Sequence, residues 1–367
     1  MYVWELPDWP GFTWDEVKLL KLVANARHEQ GHLLGRMETM GFDLQNEALL
    51  EILTQDVIKS SEIEGERLDA GQVRSSIARR LGLEYAGLPE AERQVEGVVE
   101  MMLDATQNFA QRLDEERLYG WHAALFPTGR SGIRRIRVGM WREDENGPMQ
   151  VVSGPMNRER VHYQAPPAER VPSEMKKFLE WFNGEDDEEP LIKAAKAHLW
   201  FVTIHPFEDG NGRIARAIAD MALARSEDSE RRFYSMSAQI QLERRDYYDV
   251  LEQTQKFTLD VTSWMEWFLD CLTRAIKGSQ ETLSSVTKKA RFWEQHAGEP
   301  FNQRQAKVLN RLLDGFGGNM TTSRWASIAH CSQDTAHRDI LNLIDRGILE
   351  RGAGRGRSTS YSLMSYK

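Results

Sequence analysis

The chain has 367 residues, of which 41% are hydrophobic and 28% charged. This is the make-up of a globular protein of two or three domains, and it excludes a disordered, collagen-like or membrane-spanning chain. The net charge of −9 hides an asymmetry: residues 301–367 hold 10 Lys+Arg and 5 Asp+Glu, whereas the first 300 hold 37 and 51, so only the basic tail is suited to nucleic acid.

The N-terminus lacks a basic region followed by an apolar stretch, and Cys271 and Cys331 lie in unrelated segments. The expectation is a cytoplasmic protein without a disulfide framework and without a membrane partner. Residues 1–20 carry Trp4, Trp9 and Trp14 with Pro7 and Pro10 between them and read as an extended arm pinned by aromatics. Apolar residues at helical spacing predict helices over 15–36, 46–59, 70–81 and 90–113. Five glycines punctuate 128–172, where Val151-Val152 and Val161-His162-Tyr163 predict a short hairpin. The acidic run 185–189 reads as a solvated loop, after which Pro190 opens a helix to about Ile204. Helical patterns return over 213–225 and 243–276, and a polar connector follows. His28-Glu29-Gln30-Gly31-His32 has the spacing of a zinc-protease helix, but Gly31 weakens that helix and no third ligand is indicated, so it reads as structural.

The chemistry concentrates in His205-Pro-Phe-Glu-Asp-Gly-Asn-Gly-Arg-Ile-Ala-Arg216. One helix ends near Ile204 and another begins near Arg213. Gly210 and Gly212 let backbone N–H groups converge at the new helix's positive end, which makes an anion cradle. Arg213 and Arg216 lie three apart and can face one polyphosphate. Asp209 is a hard oxygen ligand suited to Mg²⁺, and His205 can take a proton from an incoming hydroxyl. These residue types point to phosphoryl or nucleotidyl transfer; an ordinary glycine-containing interhelical loop is the alternative.

The segment resembles the signature of the Fic (filamentation induced by cAMP) family, His-x-Phe-x-(Asp/Glu)-Gly-Asn-Gly-Arg-x-x-Arg, at every fixed position, and the arm with Trp4, Pro7, Asp8 and Trp9 resembles the extra N-terminal domain of one bacterial branch. The resemblance implies an all-α Fic fold with a β-hairpin flap, an N-terminal helical domain and a C-terminal winged helix-turn-helix. The implied boundaries are 1–95 for the N-terminal region, 96–276 for the catalytic core, 277–299 for a connector and 300–367 for the winged helix. It also implies transfer of AMP from ATP, with Mg²⁺, to a Ser, Thr or Tyr hydroxyl of a target protein. His205 would be the base, Asp209 the metal ligand, and Asn211 with the backbone of Gly210 and Gly212 the anion hole. Arg213 would bind inner phosphates, Arg216 the γ-phosphate, and Phe207 would anchor the loop. Val151, Val152, Ser153 and Gly154 would form the flap that aligns the target, and Tyr247 and Tyr248 would lie near the adenine.

Ser60-Ser-Glu-Ile-Glu64-Gly65 resembles the family's inhibitory motif. A carboxylate from Glu64 on Arg216 would occupy the guanidinium needed by the γ-phosphate, and Gly65 would end the helical turn. In some family members the same glutamate supports hydrolytic removal of AMP, and the residues do not rank the two activities. The last 68 residues predict three helices and a two-stranded wing, resembling a winged helix-turn-helix. Its third helix would present Gln333, Thr335, His337 and Arg338 to DNA, with Arg351, Arg355 and Arg357 on phosphates. Protein contact or homodimerisation is the alternative, favoured by Asp334, Asp339 and Asp345. A DNA-binding regulator with a ligand-sensing core is the rival to the enzyme.

Overall fold

The computed structural model describes residues 1–83, 89–145, 147–154, 158, 160–185, 187–313, 318–352 and 359–364. It divides into two compact units, Met1–Gly41 with Gln45–Gln280, and Phe42–Leu44 with Glu281–Lys367. Among the described residues no helix is long and apolar enough to cross a membrane.

In the first unit α1 (Glu16–Glu38) starts where the Asp15 carboxylate accepts the Lys18 N–H, and α2 (Phe42–Ile63) runs to the inhibitory-motif turn. Then come α3 (Ala70–Arg80), α4 (Arg93–Gln107) and α5 (Glu115–Leu125), the first and last of these capped by Asp69 and Asp114. The sequence reading of a helix over 90–113 is thus corrected: it ends at Gln107, and the Leu113 N–H is taken by Asn183 Oδ1 at 2.9 Å. The helix α5, which that reading did not include, opens where Asp114 accepts the Arg117 N–H. Two hairpins follow instead of one. The first pairs β1 (Arg130–Ser131) with β2 (Arg134–Arg135), and the second pairs β3 (Gln150–Ser153) with β4 (Arg160–Gln164), with a bulge between Val151 and Val152.

Beyond α6 (Val171–Phe182), the centre of the unit is α7 (Pro190–Ile204) against α8 (Asn211–Glu227). On α7 every residue from Leu191 to Ile204 except Lys193 and Lys196 is buried. On α8, Ala215, Ala217, Ala219, Ala222 and Ala224 keep the helix slim enough to sit in the core. The site loop is the short connection between these two helices, so its ends are held by two buried, closely packed elements.

After α9 (Met236–Leu242), the region read as helical over 243–276 is two helices, α10 (Arg244–Thr254) and α11 (Thr262–Gln295). The physical reason for the break lies far away in sequence. The N-terminal arm claims the backbone there: Val3 N–H donates to Gln255 O, Phe257 N–H to Met1 O, Thr13 N–H to Leu259 O and Val261 N–H to Thr13 O. Those groups are then not available to a helix. Trp4 and Trp9 pin the arm as expected, donating indole N–H bonds to Gln164 O (2.8 Å) and Glu174 Oε2 (2.9 Å). The polar stretch from Lys277 is helical through Gln295, as part of α11.

The second unit contains α12 (Gln303–Leu313), α13 (Thr322–Ala329), α14 (Gln333–Asp345), β5 (Leu349–Arg351) and β6 (Tyr361–Leu363), in the order read from the sequence. Trp325, Ile340, Leu343 and Ile348 are buried in its core. Asp339, counted above against DNA contact, is buried and accepts Arg304 Nε at 2.9 Å and Asn302 Nδ2 at 3.0 Å. It therefore adds no charge to the exposed face of α14. Gln333, His337 and Arg338 are exposed there and Thr335 is half-buried. Arg351 is exposed, whereas Arg355 and Arg357 lie outside the described residues.

Candidate active site

His205 ends α7 in the left-handed conformation (φ 53°), a strained position for a non-glycine residue that turns the chain sharply into the loop. Its Nδ1 meets Val202 O at 3.1 Å. A proton on Nδ1 donated to that carbonyl leaves Nε2 as an acceptor. Burial pushes the imidazole pKa down to about 4, against the upward pull of the Val202 hydrogen bond, so the ring is neutral near pH 7. Arg142, buried, clamps the same residue from below: Nε donates to His205 O (2.8 Å), Nη2 to Pro166 O (2.5 Å) and Nη1 to Asp144 (2.7 Å).

Phe207 is fully buried, its ring stacked on His122 at 4.2 Å, as a loop anchor should be. The Asn211 carboxamide is spent on the same residue. Its Oδ1 accepts Phe207 N–H at 2.9 Å and its Nδ2 donates to Phe207 O at 2.8 Å. In this structure Asn211 ties the loop, and the cradle is left to the backbone. His122 holds the far side: its Nδ1 accepts Gly139 N–H, so Nε2 carries the proton and donates to Asp209 O at 3.2 Å. The Asp209 carboxylate accepts Gly210 N–H at 2.6 Å and the Ser131 hydroxyl. Gly210 adopts φ 79° as it opens α8, a value that favours glycine.

Arg213 and Arg216 are 1% and 2% exposed. Each is met by a carboxylate from the end of α2. Glu64 Oε1 lies 2.8 Å from Arg216 Nη2, and Glu66 Oε2 lies 2.6 Å from Arg213 Nη1. Arg216 also donates from Nε to Ser60 Oγ (3.0 Å) and from Nη2 to Ser60 O (2.8 Å). Burial works against the Arg216 charge, yet Glu64 more than offsets it and the pKa rises above its ordinary value. The turn that places both acids is a Schellman motif: Gly65 N–H donates to Glu62 O and Glu66 N–H to Ser61 O, with Gly65 at φ 83°. Arg244 Nε donates to Ile63 O at 2.8 Å and caps the same helix end. The Glu64 carboxylate lies directly over the α8 N-terminus. A Cβ built on Gly212 would stand 2.2 Å from Glu64 Oε1, so the anion cradle read from the sequence already holds an anion.

Glu64, His205 and Gly212 line one cavity of about 510 Å³ with Val151, Val152 and Ser153 of the flap and with Tyr247 and Tyr248 of α10. Tyr247 is buried, its hydroxyl 2.9 Å from His198 Nε2, and its ring is 5.0 Å from that of Tyr248. Gly154 continues the flap strand as an exposed residue. The flap is latched to α10: Ser153 Oγ lies 2.6 Å from His162 Nε2, and His162 Nδ1 lies 2.5 Å from Glu252 Oε2. Burial of Glu252 disfavours its charge, but hydrogen bonds from Lys256, His162 and Arg160 hold its pKa down at about 2.

The sequence-read residues thus converge, from α2, the flap, the loop, α8 and α10. Sequence reasoning missed Glu66, Arg142, His122, Ser131 and Glu252. Glu66 carried a signal: a second acid two residues beyond Glu64, across the turn-forming Gly65. The others are joined to the site only by the fold.

Comparison with known proteins agrees with this geometry. Residues 112–223 match the Fic/DOC family, and residues 2–83 match a domain of unknown function, DUF4172. Protein adenylyltransferase Fic of Nematostella vectensis is 34% identical over 119 residues, 32% of this chain and 26% of that protein. Protein adenylyltransferase fic-1 of Caenorhabditis elegans is 40% identical over 60 residues, 16% of this chain and 12% of that protein. The chain thus spans about a quarter or less of these curated relatives. A crystal structure of a Fic family protein from Desulfovibrio desulfuricans superposes with a TM-score of 0.52 at 22% identity, covering 94% of this chain and 97% of the other. A Fic domain containing signaling protein from Bacteroides thetaiotaomicron gives a TM-score of 0.53 at 20% identity, covering 71% and 97%. These likenesses show the mostly helical Fic fold. With its loop intact from His205 to Arg216, the chain carries a Fic/DOC domain over residues 112–223, behind a DUF4172 region over residues 2–83.

Proposed function

We propose that the chain transfers AMP from ATP to a Ser, Thr or Tyr hydroxyl of a target protein, and that the conformation described is its restrained form. The observation that carries the reading is the convergence of His205, Asp209, Arg213 and Arg216 on one helix N-terminus, with Glu64 seated there. The names of the curated relatives support it.

His205 Nε2 takes the proton of the attacking hydroxyl, and its lowered pKa suits a group that must be neutral to do so. A bond forms between that oxygen and the α-phosphorus while the bond to the bridging oxygen breaks, and charge moves onto pyrophosphate. The α8 N-terminus, Arg213 and Arg216 face that charge. The Asp209 carboxylate, a hard donor contacted among the described residues by a hydroxyl and an amide N–H, fits Mg²⁺, which takes one or two carboxylates alongside phosphates. When bound, the ion neutralises phosphate charge. The exposed flap strand offers backbone to an extended target segment.

Glu64 opposes all of this. A γ-phosphate can pair with Arg216 only after the Glu64 carboxylate leaves it. A second reading, hydrolytic removal of AMP, is favoured by one observation: Glu64 and His205 line the same cavity, where the carboxylate and the imidazole can both act on a water.

The test is labelled-AMP incorporation from ATP and Mg²⁺ by wild type, Glu64→Gly and Glu64→Gly/His205→Ala. Label that is weak in wild type, strong in Glu64→Gly and absent from the double variant is the expected result. Absence of label from all three, with ATP binding demonstrated, would sink transfer. AMP release from a pre-modified target by wild type would then favour the hydrolytic reading.

A further inference from the structure

The hairpin formed by β1 and β2 is a basic island on an acidic body. Residues 126–137 hold four arginines, 130, 134, 135 and 137, and no acid. Arg130, Ile133, Arg134 and Arg135 are all exposed, and Ile133 at the tip is 95% exposed. Arg134 lies 3.6 Å from Glu208, and Arg137 is paired with Glu143. Among the described residues Arg130 and Arg135 make no ion pair. Asp144 is taken by Arg142, which leaves Glu145 as the acid of that stretch without an ion pair among the described residues.

The hairpin is also strapped to the catalytic loop. Ser131 donates to the Asp209 carboxylate, Arg134 Nη2 donates to Glu208 O at 3.4 Å, and Arg137 N–H donates to Glu208 Oε1 at 3.4 Å. A cleft of about 200 Å³, whose walls also carry Glu143, Asp144, Glu145 and Glu208, separates Arg134 and Arg137 from Met149 and Gln150, where flap strand β3 begins. The surface suited to an acidic segment is thus the outer face of the hairpin around Arg130 and Arg135 and not the cleft. A segment resting on the hairpin therefore lies beside the Glu208–Asp209 part of the catalytic loop.

We infer that the β1–β2 hairpin is the docking surface for an acidic segment of the target protein, which it delivers to the active site. The inference rests on the transfer reading proposed above. An exposed apolar tip between unpaired arginines matches a peptide that mixes acidic with apolar side chains. A nucleic acid is the poorer fit. The first 300 residues hold 51 acidic against 37 basic side chains, and that field repels a long polyanion while a short acidic segment meets only the local patch.

The experiment uses the full-length Glu64→Gly chain and three fluorescent serine peptides of equal length, flanked by acidic, neutral or basic residues. Binding is read by anisotropy and AMP transfer by initial rates, each with and without Arg130→Glu/Arg135→Glu. The acidic peptide should bind and react best, its advantage should shrink with salt, and the double reversal should raise its KM roughly tenfold while leaving the KM for ATP unchanged. Equal use of acidic and neutral peptides, or equal loss for both in the variant, overturns the inference and leaves AMP transfer standing. A raised KM for ATP would overturn it in favour of phosphate steering, and retention of a DNA oligonucleotide lost with the two arginines would overturn it in favour of nucleic acid. Acidic-peptide binding that depends on Arg130 and Arg135, without transfer to any peptide, would keep the docking surface and sink the transfer reading.

Discussion

Replacing Glu66 by Gln removes a charge and almost no volume, and its effect should depend on what Glu64 is doing. Arg213 is 1% exposed and the Glu66 side chain 31% exposed, at 2.6 Å. A fully exposed pair is worth up to about 1 kcal/mol, and breaking a fully buried one costs about 3–5 kcal/mol. With one partner buried and the other a third in solvent, about 2 kcal/mol is reasonable, a factor of roughly 30 in the population of the open turn. In an otherwise wild-type chain little of this should show, because Glu64 and Ser60 still hold Arg216. In a Glu64→Gly chain, Glu66 is the last carboxylate on the phosphate arginines, and ATP must displace it. Glu64→Gly/Glu66→Gln should then lower the KM for ATP by roughly 10–30-fold against Glu64→Gly, with kcat little changed, since the removed contact competes with ground-state binding. Pyrophosphate release as a function of ATP concentration measures both. Identical KM values in the two chains would refute the argument, because Glu66 would then be leaving Arg213 without cost.

Three further outcomes are expected. Asn211→Ala strips two buried hydrogen bonds from Phe207 and strands its N–H, so it should lower stability by about 2–4 kcal/mol in urea unfolding; an unchanged midpoint would show that the loop is held without it. The acid limb of kcat/KM for Glu64→Gly should fall near pH 4, since His205 must be neutral and its pKa is lowered to about 4; activity is retained above that value and lost as pH falls through it. The Glu64 charge raises that pKa, so its removal cannot move the limb upward, and a limb near pH 6.5 would contradict the buried, neutral ring. Arg142→Lys should cut kcat by about 10–100-fold while sparing the KM for ATP, because one ammonium cannot span His205 O, Pro166 O and Asp144 as the guanidinium fork does; single-turnover rates would separate the two constants.

The site was legible where its residues are contiguous. From His205 to Arg216 the types, spacing and two glycines encode a helix end, a loop and a helix start, and those are local properties. The helix pair around it was legible because α7 and α8 carry small and apolar residues throughout. The breaks at 255–261 and between α4 and α5 were read less well. Phe109 and Leu113 keep a helical spacing past the end of α4 at Gln107, but the Leu113 N–H goes to Asn183, 70 residues on. The break before Thr262 is imposed by an arm some 250 residues earlier in the chain, whose backbone bonds no window of sequence contains. His122, Ser131 and Arg142 are of the same kind. Each looks like an ordinary surface or core residue until the fold sets it against Asp209 or His205.

Glu64 and Glu66 make the same point within one turn. In an extended chain residues i and i+2 face the same way, and in a helix they diverge. Neither rule predicts that two acids will reach two arginines three apart on another helix. The Schellman turn does this, because Gly65 at φ 83° reverses the chain between them while Arg244 secures the last helical carbonyl. The consequence is mechanical as well as electrostatic. Because both carboxylates hang from one hydrogen-bonded turn, rotating a single side chain frees only one arginine. Full access to the cradle requires the end of α2 to move as a body, and that movement must also give up Arg244 on Ile63 O and Ser60 on Arg216. On the transfer reading proposed above, a signal that relieves the restraint has to act on the α2 terminus itself, and a change confined to the Glu64 side chain is expected to give a partly released enzyme whose affinity for ATP still reports Glu66.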